Sequence, residues 1–491
     1  MTASRNFLAV DLGAESGRAI LGAFDGEKLA LEEIHRFANA PVLLPDGPHW
    51  NVLRLWSDVK QGLAQAVHSG RAPASIGVDT WGVDYALLDR RGSLLCNPYH
   101  YRNSRTDGML QEAFRRMPRE QIFELTGIQF MQINTLYQLL SQVVSGDPAL
   151  EVAEALVMMP DLLNYWLSGR IACEFSDATT TQCYDPRRRG WSDPLLEKMN
   201  IPRRIFPEVV TPGTVLGPLS ALVAEETGAG ELQIIAPGSH DTASAIAAVP
   251  ADGPGFAWIS SGTWSILGVE LREPVISSQS LSFNFTNEGG VNGTFRLSKN
   301  IAGLWLVQEC RRTWMQEGDD LSYDQLVQLA ARATPLLSFV DPDTDEFLKS
   351  GDMPGRIQAY CAKTAQPVPE SKGAIVRCAL ESVALRYHWV LDRLEEILGR
   401  KLEPIHIVGG GTKNRLLSEF TANATGRTVV TGPVEATAIG NLLLQAIASG
   451  EVGSLAEGRA IVRQSFPVEV FAPEHRTEWA EAYERFCHLV G

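Results

Sequence analysis

The chain makes the same opening twice. "FLAVDLGAESGRAILGAF" (7–24) and "FAWISSGTWSILGVEL" (256–271) each run an apolar strand into a tight polar loop with glycine, then into a second apolar strand. Two copies of one hairpin in the two halves of a 491-residue chain imply a duplicated fold with two glycine loops. "AVPADGPG" (248–255) concentrates Pro and Gly just before the second copy and marks the boundary. The expected domains are therefore 1–247 and 248–491, with a C-terminal helix packing back across the two lobes. The boundary segment is also the natural hinge between them.

The rest of the pattern alternates strands and helices, which implies an α/β architecture. "ALEEIHRF" reads as a third strand, and "VLRLWSDVKQGLAQAV" as a helix with Leu55, Val59, Leu63 and Val67 at helical spacing. "ASIGVDTWGVDYALLDRRGSLL" reads as a strand, a glycine turn and a second strand closing on a hairpin at "DRRG". Downstream, "SKGAIVRCALESVALRYHWVLDRLEEIL" is a long helix ending at Gly399. "PIHIVGGGTKN" leads a strand into a glycine loop, and "EATAIGNLLLQAIASG" is a further helix. In "RTEWAEAYERFCHLV", Trp479, Tyr483 and Phe486 share one helical face, as core residues do.

Three glycine loops can cradle phosphate through backbone N–H groups: "DLGAESGR" (11–18), "SSGTWS" (260–265) and "VGGGTKN" (408–414). A tight turn explains any one of them equally well. None is a Walker A loop or a G-x-G-x-x-G fingerprint. Asp11, at the end of the first strand, suits a Mg²⁺ ion between carboxylate and phosphate, or an Asx-turn. Arg18 and Lys413 could contact phosphate or be solvated. In "GSHDTASAIAAV" (238–249), His240, Asp241 and Thr242 stand where a strand hands over to a helix. A helix cap accounts for them, and so does a general base flanked by two hydrogen-bonding groups.

Bulk properties narrow the ligand class. The charge is −15, from 43 Lys and Arg against 58 Asp and Glu, and no dense basic run exists. Nucleic acid and anionic membranes are therefore poor partners, and phosphate must be held locally. "MTASRNFLAVDLG" is too short and too interrupted for a signal peptide, and no apolar run reaches the roughly 18 residues of a membrane span. The seven cysteines include no C-x-x-C pair, which fits a reducing compartment; Cys361 and Cys378 are expected as two reduced thiols.

Taken together, "AVDLGAESGR", "SIGVDTWGVD", "YRNSRT", "GIQFMQINTLYQL", "SHDTASA", "SSGTWS", "TNEGG", "KNIAGLWL", "IHIVGGGTKN" and "GPVEA" resemble the FGGY family of carbohydrate kinases, in family order from residue 9 to about 436. The resemblance implies two actin-like (ribonuclease H-like) α/β lobes of duplicated topology with a central cleft. It implies a cytoplasmic, Mg²⁺- and ATP-dependent kinase, monomer or homodimer. The γ-phosphate would pass to the C1 hydroxyl of a ketose: L-rhamnulose first, with L-fuculose or L-xylulose as alternatives. A non-catalytic actin-like nucleotide-binding protein is the rival of another class. Carried over by position, Ala14, Glu15, Ser16, Gly17 and Arg18 form the first phosphate loop, with Asp11 toward the metal. Thr263, Gln308 and Gly411 border the nucleotide. Gly82, His240, Asp241, Thr242 and Asn300 contact the sugar, with Asp241 as base; Trp81 and Asp84 are candidates for the pocket wall, though Trp81 also suits core packing. Glu15 departs from the small residue found there in part of the family; its carboxylate would point away from the phosphates or face a cation.

Overall fold

A computed structural model describes residues 4–490. The chain forms two compact units, each discontinuous in sequence. Unit 1 takes the chain up to Ala248 with Glu270–Leu297 and Ala436–Ser465. Unit 2 takes Val249–Val269, Ser298–Glu435 and the chain from Phe466 onward.

Unit 1 is built on strands β1 (Arg5–Leu12), β2 (Ser16–Phe24), β3 (Leu29–Ala38), β4 (Ser75–Thr80), β5 (Thr214–Pro218) and β6 (Gln233–Ala236), in the order β5-β6-β4-β1-β2-β3. β1 runs antiparallel to β2, with Asp11 opposite Arg18, and parallel to β4, with Asp11 opposite Asp79. β4 is buried along its whole length and β1 along all but its first two residues, so both read as continuous apolar runs rather than alternations. Helix α1 (Val52–His68) starts where the Asn51 side chain accepts the Arg54 N–H, and packs Leu55, Val59 and Leu63 into the core of Leu8, Val10, Ile76 and Val78. The strand expected after the glycine turn forms at Tyr85–Leu88 and closes the "DRRG" hairpin, but its ladder partner is Ala155–Met158. That pair belongs to a helical insertion with its own core, which includes Leu136, Leu140, Leu156 and Leu195. Two short helices complete the site side of unit 1: α2 (Phe175–Thr180) and α3 (Asp241–Ala247).

The second hairpin is β7 (Ala257–Ser261) and β8 (Trp264–Leu271). It is followed by β9 (Thr286–Gly289), which lies in unit 1, and by β10 (Phe295–Ala302), β11 (Ile405–Val408), β12 (Val429–Thr431) and β13 (Glu469–Phe471). The unit 2 sheet reads β10-β8-β7-β11-β12-β13. β7 is antiparallel to β8 and parallel to β11, and β11 is parallel to β12. The order β10-β8-β7-β11-β12 repeats β3-β2-β1-β4-β6: third, second, first, fourth and fifth strand of each sheet core. The duplication seen in the two hairpins is thus a duplication of topology. Helices α4 (Trp305–Gln316), α5 (Lys372–Leu398) and α6 (Arg415–Thr425) belong to unit 2. α5 begins with the Ser371 side chain accepting the Ala374 N–H and stops at Gly399, whose φ of 64° lies in the left-handed region glycine enters freely.

The chain then returns to unit 1 as α7 (Ala436–Ala448). This helix lies against α3 and the β1–β4 strands through polar contacts as well as apolar ones. Asn441 Nδ2 donates to Gly77 O (3.1 Å) and Asp79 Oδ2 (2.5 Å); Gln445 Nε2 donates to Leu8 O (2.9 Å), and its Oε1 accepts from Ser75 Oγ (2.7 Å). Both amides are fully buried. The last helix, α8 (Arg476–Val490), stays in unit 2: Trp479 packs on Phe420 of α6, and Tyr483 stacks on His388 of α5. Cys361 and Cys378 are free, buried thiols.

A Cβ added to Gly440 would stand 1.7 Å from the Ser244 carbonyl oxygen of α3 and 2.6 Å from its carbon. Both are backbone atoms, so no side-chain rotation relieves the clash. Gly440→Ala is expected to lower the unfolding free energy by about 3 kcal/mol or more, at or beyond the upper end of ordinary overpacking. Gly230→Ala, where no atom lies within 4 Å, should change it by less than about 0.5 kcal/mol. Denaturant unfolding of both variants checks the contrast.

Candidate active site

In an open α/β sheet, ligands settle beyond the carboxyl ends of the strands. In unit 1 that edge carries Asp11 at the end of β1, Asp79 and Thr80 at the end of β4, and the turn Ser239–His240–Asp241 after β6. The Thr80 N–H donates to Ser239 O (2.9 Å), and Thr80 and His240 form an isolated parallel bridge. The strand-to-helix turn is therefore stitched to the neighbouring strand.

The first loop is a tight hairpin. Gly13 N–H donates to Ser16 O, while Asn39 fastens the loop from the side through Gly13 O and Glu15 O. Glu15 is exposed, Ala14 and Ser16 are half-buried, and Gly17 is buried with Phe37 and Leu12 occupying the space of a side chain. Arg18 turns to Asp11: its Nε and Nη2 lie 3.1 and 3.0 Å from Asp11 Oδ2. Arg18 is thus neither simply solvated nor aimed away from the strand ends. Asp79, fully buried beside Asp11, is pushed well above the usual carboxylate range, by burial first and by the Asp11 charge second. Its Oδ1 has no hydrogen-bond partner.

His240 is the residue before α3, and Asp241 is the helix's first residue. No side-chain hydrogen bond caps this helix, and Asp241 is the acidic residue of its first turn. Asp241 Oδ1 accepts from Thr242 Oγ1 (3.0 Å) and lies 3.5 Å from His240 Nε2; about a third of its side chain is exposed. The turn rests on a buried seat. Ser239 N–H donates to Glu174 Oε2 (2.9 Å), and His240 N–H donates to Ser176 Oγ (3.1 Å). Burial raises the Glu174 carboxyl to about 7 against the donors that favour its ionised form.

Gly82 sits where any side chain would strike Thr180 of α2, at 2.9–3.1 Å. Its neighbour Val83 holds φ at 70°, a strained conformation for a β-branched residue, fixed by Thr180 Oγ1 on its N–H and by Thr135 and Gln138 on its carbonyl. Asp84 Oδ2 accepts from Trp50 Nε1 (2.6 Å), Trp81 Nε1 (3.0 Å) and Tyr101 N (3.2 Å), and Oδ1 accepts from Gln138 Nε2 (2.9 Å). Burial pushes this carboxyl up to about 6, with those donors opposing. The Trp81 ring packs 4.0 Å from Trp50, so Asp84 holds a small aromatic wall in place.

The remaining candidates lie in unit 2. Leu304 N–H donates to Gly262 O, and Trp305 N–H donates to Thr263 O, which seats the "SSGTWS" loop on the start of α4. Gln308 is one turn further along α4 and half-buried. The "VGGGTKN" loop comes to the same place, with the Cα of Gly411 so near Ser261 that a Cβ would fall 2.1 Å from its Oγ. Thr263, Gln308 and Gly411 are thereby gathered around one loop cluster. Asn300 stands on β10, beside the buried Lys299, whose ammonium burial lowers to about 8.

The profile for the N-terminal domain of the FGGY family of carbohydrate kinases matches residues 6–248, and that for its C-terminal domain matches 257–449. The chain belongs to this family. It is an FGGY carbohydrate kinase, a phosphotransferase that uses ATP and an alcohol acceptor. It is 44% identical to a rhamnulokinase of Bacteroides thetaiotaomicron over 486 residues, 99% of each chain. It is 38% identical to a rhamnulokinase of Oceanobacillus iheyensis over 95% of this chain and 98% of that one. Among solved structures, a gluconate kinase (TM-score 0.82, 98% of its chain covered) and a ligand-bound xylulose kinase (0.81, 97%), both from Lactobacillus acidophilus, superpose over 99% of this chain at 17% identity. They establish the two-lobed actin-like fold of the FGGY kinases.

Reading single motifs leaves out Asp79, Glu174, and the pair Glu288 and Arg296 that faces His240 Nδ1. Asp79 had a signal, since it ends an apolar strand in register with Asp11. The others act through contacts distant in sequence.

The two unit 2 loops differ in what their glycines are for. Gly411→Ala would force backbone and side chain of Ser261 apart and is expected to cost about 2–3 kcal/mol. At Gly262 the nearest atom to an added Cβ is Trp264 O at 3.5 Å, an ordinary contact. Gly262→Ala should melt within a few degrees of the parent protein, so thermal unfolding of the two variants separates them.

Proposed function

We propose that this FGGY kinase transfers the γ-phosphate of ATP to the C1 hydroxyl of L-rhamnulose. The observation that carries the substrate is the 44% identity to a rhamnulokinase over 99% of both chains. The geometry of the strand ends supports the chemistry. Asp241 is the base: a partly exposed carboxylate that keeps Oδ2 clear of its Thr242 contact. Phosphoryl transfer proceeds through a loose transition state in which positioning and charge neutralisation dominate, so the base has only to take the hydroxyl proton as the O–P bond forms. His240 and Thr242 hold neighbouring hydroxyls, Gly82 and Asn300 bound the sugar, and the Trp81 ring offers an apolar face.

Thr263, Gln308 and Gly411 border the nucleotide, and the Ala14–Arg18 loop meets the phosphates. A Mg²⁺ ion fits Asp11. Among the described residues no cluster of three or more potential ligands exists. Mg²⁺ bound by one or two carboxylates, water and phosphate needs none, and the buried Asp79 Oδ1 beside Asp11 is left without a hydrogen-bond partner. Bound, the ion would neutralise the phosphates. We place the reaction in the cytoplasm, which suits seven free cysteines; no described helix is long and apolar enough to cross a membrane.

A ketose panel with ADP detection tests the substrate: L-rhamnulose should give the highest kcat/KM, and a higher value for L-fuculose or L-xylulose would overturn the assignment. Asp241→Asn keeps the size and loses the proton acceptor. Its kcat should fall about 10²–10⁴-fold with ATP affinity retained; a parental kcat would remove Asp241 from the mechanism. Gly262→Val, at a position with room in the fold, should weaken ATP binding by crowding the phosphates while leaving ketose binding unchanged, as read by calorimetry for each ligand.

A further inference from the structure

The "TNEGG" stretch (286–290) has no role in the reading above. In the structure it delivers a carboxylate to the back of His240. β9 is fixed on α2, with Gly289 N–H donating to Thr179 Oγ1 (2.7 Å) and the Phe175 ring filling the space where Gly289 lacks a side chain. Asn287 ties the same strand to Gly127 O and to the Val275 backbone. Glu288 therefore has little freedom. Its Oε2 lies 3.0 Å from Arg296 Nη2 and 3.3 Å from His240 Nδ1, and its Oε1 accepts from Thr286 Oγ1. Burial raises this carboxyl, and the Arg296 guanidinium beside it pulls it back down.

Arg296 has no exposed surface. Its Nε donates to Gly289 O (2.9 Å), and its Nη2 stands 2.9 Å from His240 Nδ1 as well as 3.0 Å from Glu288. A guanidinium nitrogen can only donate. Nη2 carries two hydrogens, one for Glu288 Oε2 and one for His240 Nδ1. The second bond forms only if Nδ1 is unprotonated. The ring's single proton is then on Nε2, the nitrogen 3.5 Å from Asp241 Oδ1. The alternative, an Nδ1–H aimed at Glu288, would set two N–H groups against each other at the shorter of the two distances.

We propose that Glu288 and Arg296 are positioning residues for phosphoryl transfer: Glu288 holds the Arg296 fork, and Arg296 fixes His240 as the neutral Nε2–H tautomer, presenting one ring donor toward Asp241 and the sugar hydroxyl it serves. The functional part of this rests on Asp241 as base; the tautomer does not. The arrangement offers the base a neutral donor rather than a full positive charge. An imidazolium would hold the carboxylate too tightly to take a proton, whereas a neutral N–H orients it. The Nη1 group of Arg296 has no partner in the structure, so the fork is held from one side, through Nε and Nη2.

The test has two arms. In the first, ¹⁵N-histidine-labelled full-length protein is read by long-range ¹H–¹⁵N NMR, with the His240 ring assigned by its loss in His240→Asn. An unprotonated Nδ1 and a protonated Nε2 are expected; a protonated Nδ1 overturns the proposal whatever Asp241 does. In the second, Arg296→Met alone leaves Glu288 buried and unpaired and can fail to fold, so Glu288→Met and Arg296→Met are combined, which keeps the interior neutral. The double variant is expected to melt as the parent does and to give a mixed-tautomer His240 spectrum. Its kcat/KM for the ketose should fall about 10- to 100-fold, with KM for ATP unchanged. Parental ketose kinetics in the folded double variant, or a loss shared equally by ketose and ATP, overturns the proposal. A kinetically silent Asp241→Asn with the expected tautomer would instead overturn the base assignment.

Discussion

The candidate site depends on one close approach, that of Gly440 in α7 to the Ser244 carbonyl in α3. It allows two helix backbones to touch, and it brings Asn441 and Gln445 over the sheet. Those two amides reach Gly77 O, Asp79 Oδ2, Leu8 O and Ser75 Oγ, atoms on β1 and β4. Apolar packing alone would tolerate a helix sliding by part of a turn. Two buried amides do not, because each unsatisfied buried polar group costs about 1–3 kcal/mol. The register of α7 is therefore set by hydrogen bonds, and α3, whose first residue is Asp241, inherits that register.

The same contact shows what a local reading can and cannot find. Both hairpins, the long helix ending at Gly399, and the helix at 436–448 carry their signals in periodicity and glycine placement, and they form where those signals lie. The helix at 436–448 gives no local sign that it belongs with unit 1, because the evidence is Gly440 meeting a carbonyl far earlier in the chain. The strand Tyr85–Leu88 is similar: its apolar run marks it as a strand, but nothing in that run names Ala155–Met158 as partner. Strand identity is local chemistry; strand pairing is settled by which surfaces remain to be buried.

Site residues divide in the same way. Asp11, Gly82, His240 and Asp241 sit at ends of strands or beside tight turns, where an acid or a glycine among apolar residues stands out. Glu174 and Arg296 do not stand out, and Glu288, though it lies in "TNEGG", shows no role there. Glu174 follows a cysteine in a short buried strand, and Arg296 would be read as the polar member of an ordinary alternation, "FRLSKNIA". Their importance comes from burial: Arg296, with no exposed surface, is paired with Glu288, and the Glu174 carboxylate is paired with the backbone of the turn above it. No single segment contains both halves of such a bargain. Glu15, which stands out in the first loop, proves to be exposed, so an acid in that loop need not face a bound phosphate.

The charges at the strand ends constrain the chemistry further. Asp11 and Asp79 lie in register on neighbouring strands, and burial first, then the charges of Asp11 and Asp241, disfavours the ionised form of Asp79. Arg18 offsets Asp11 but does not supply Asp79 Oδ1 with a partner. A sugar is neutral and carries many O–H donors, so an edge rich in carboxylate oxygens suits it without any added ion. A polyphosphate meets the opposite situation: it adds negative charge to an acidic edge on a chain already at −15. The acids favour it only if a cation arrives with it. In the proposed reaction, Asp11 and Asp79 would therefore favour the metal-bound form of the nucleotide, and Asp241, one strand further along, would be left to deal with a hydroxyl.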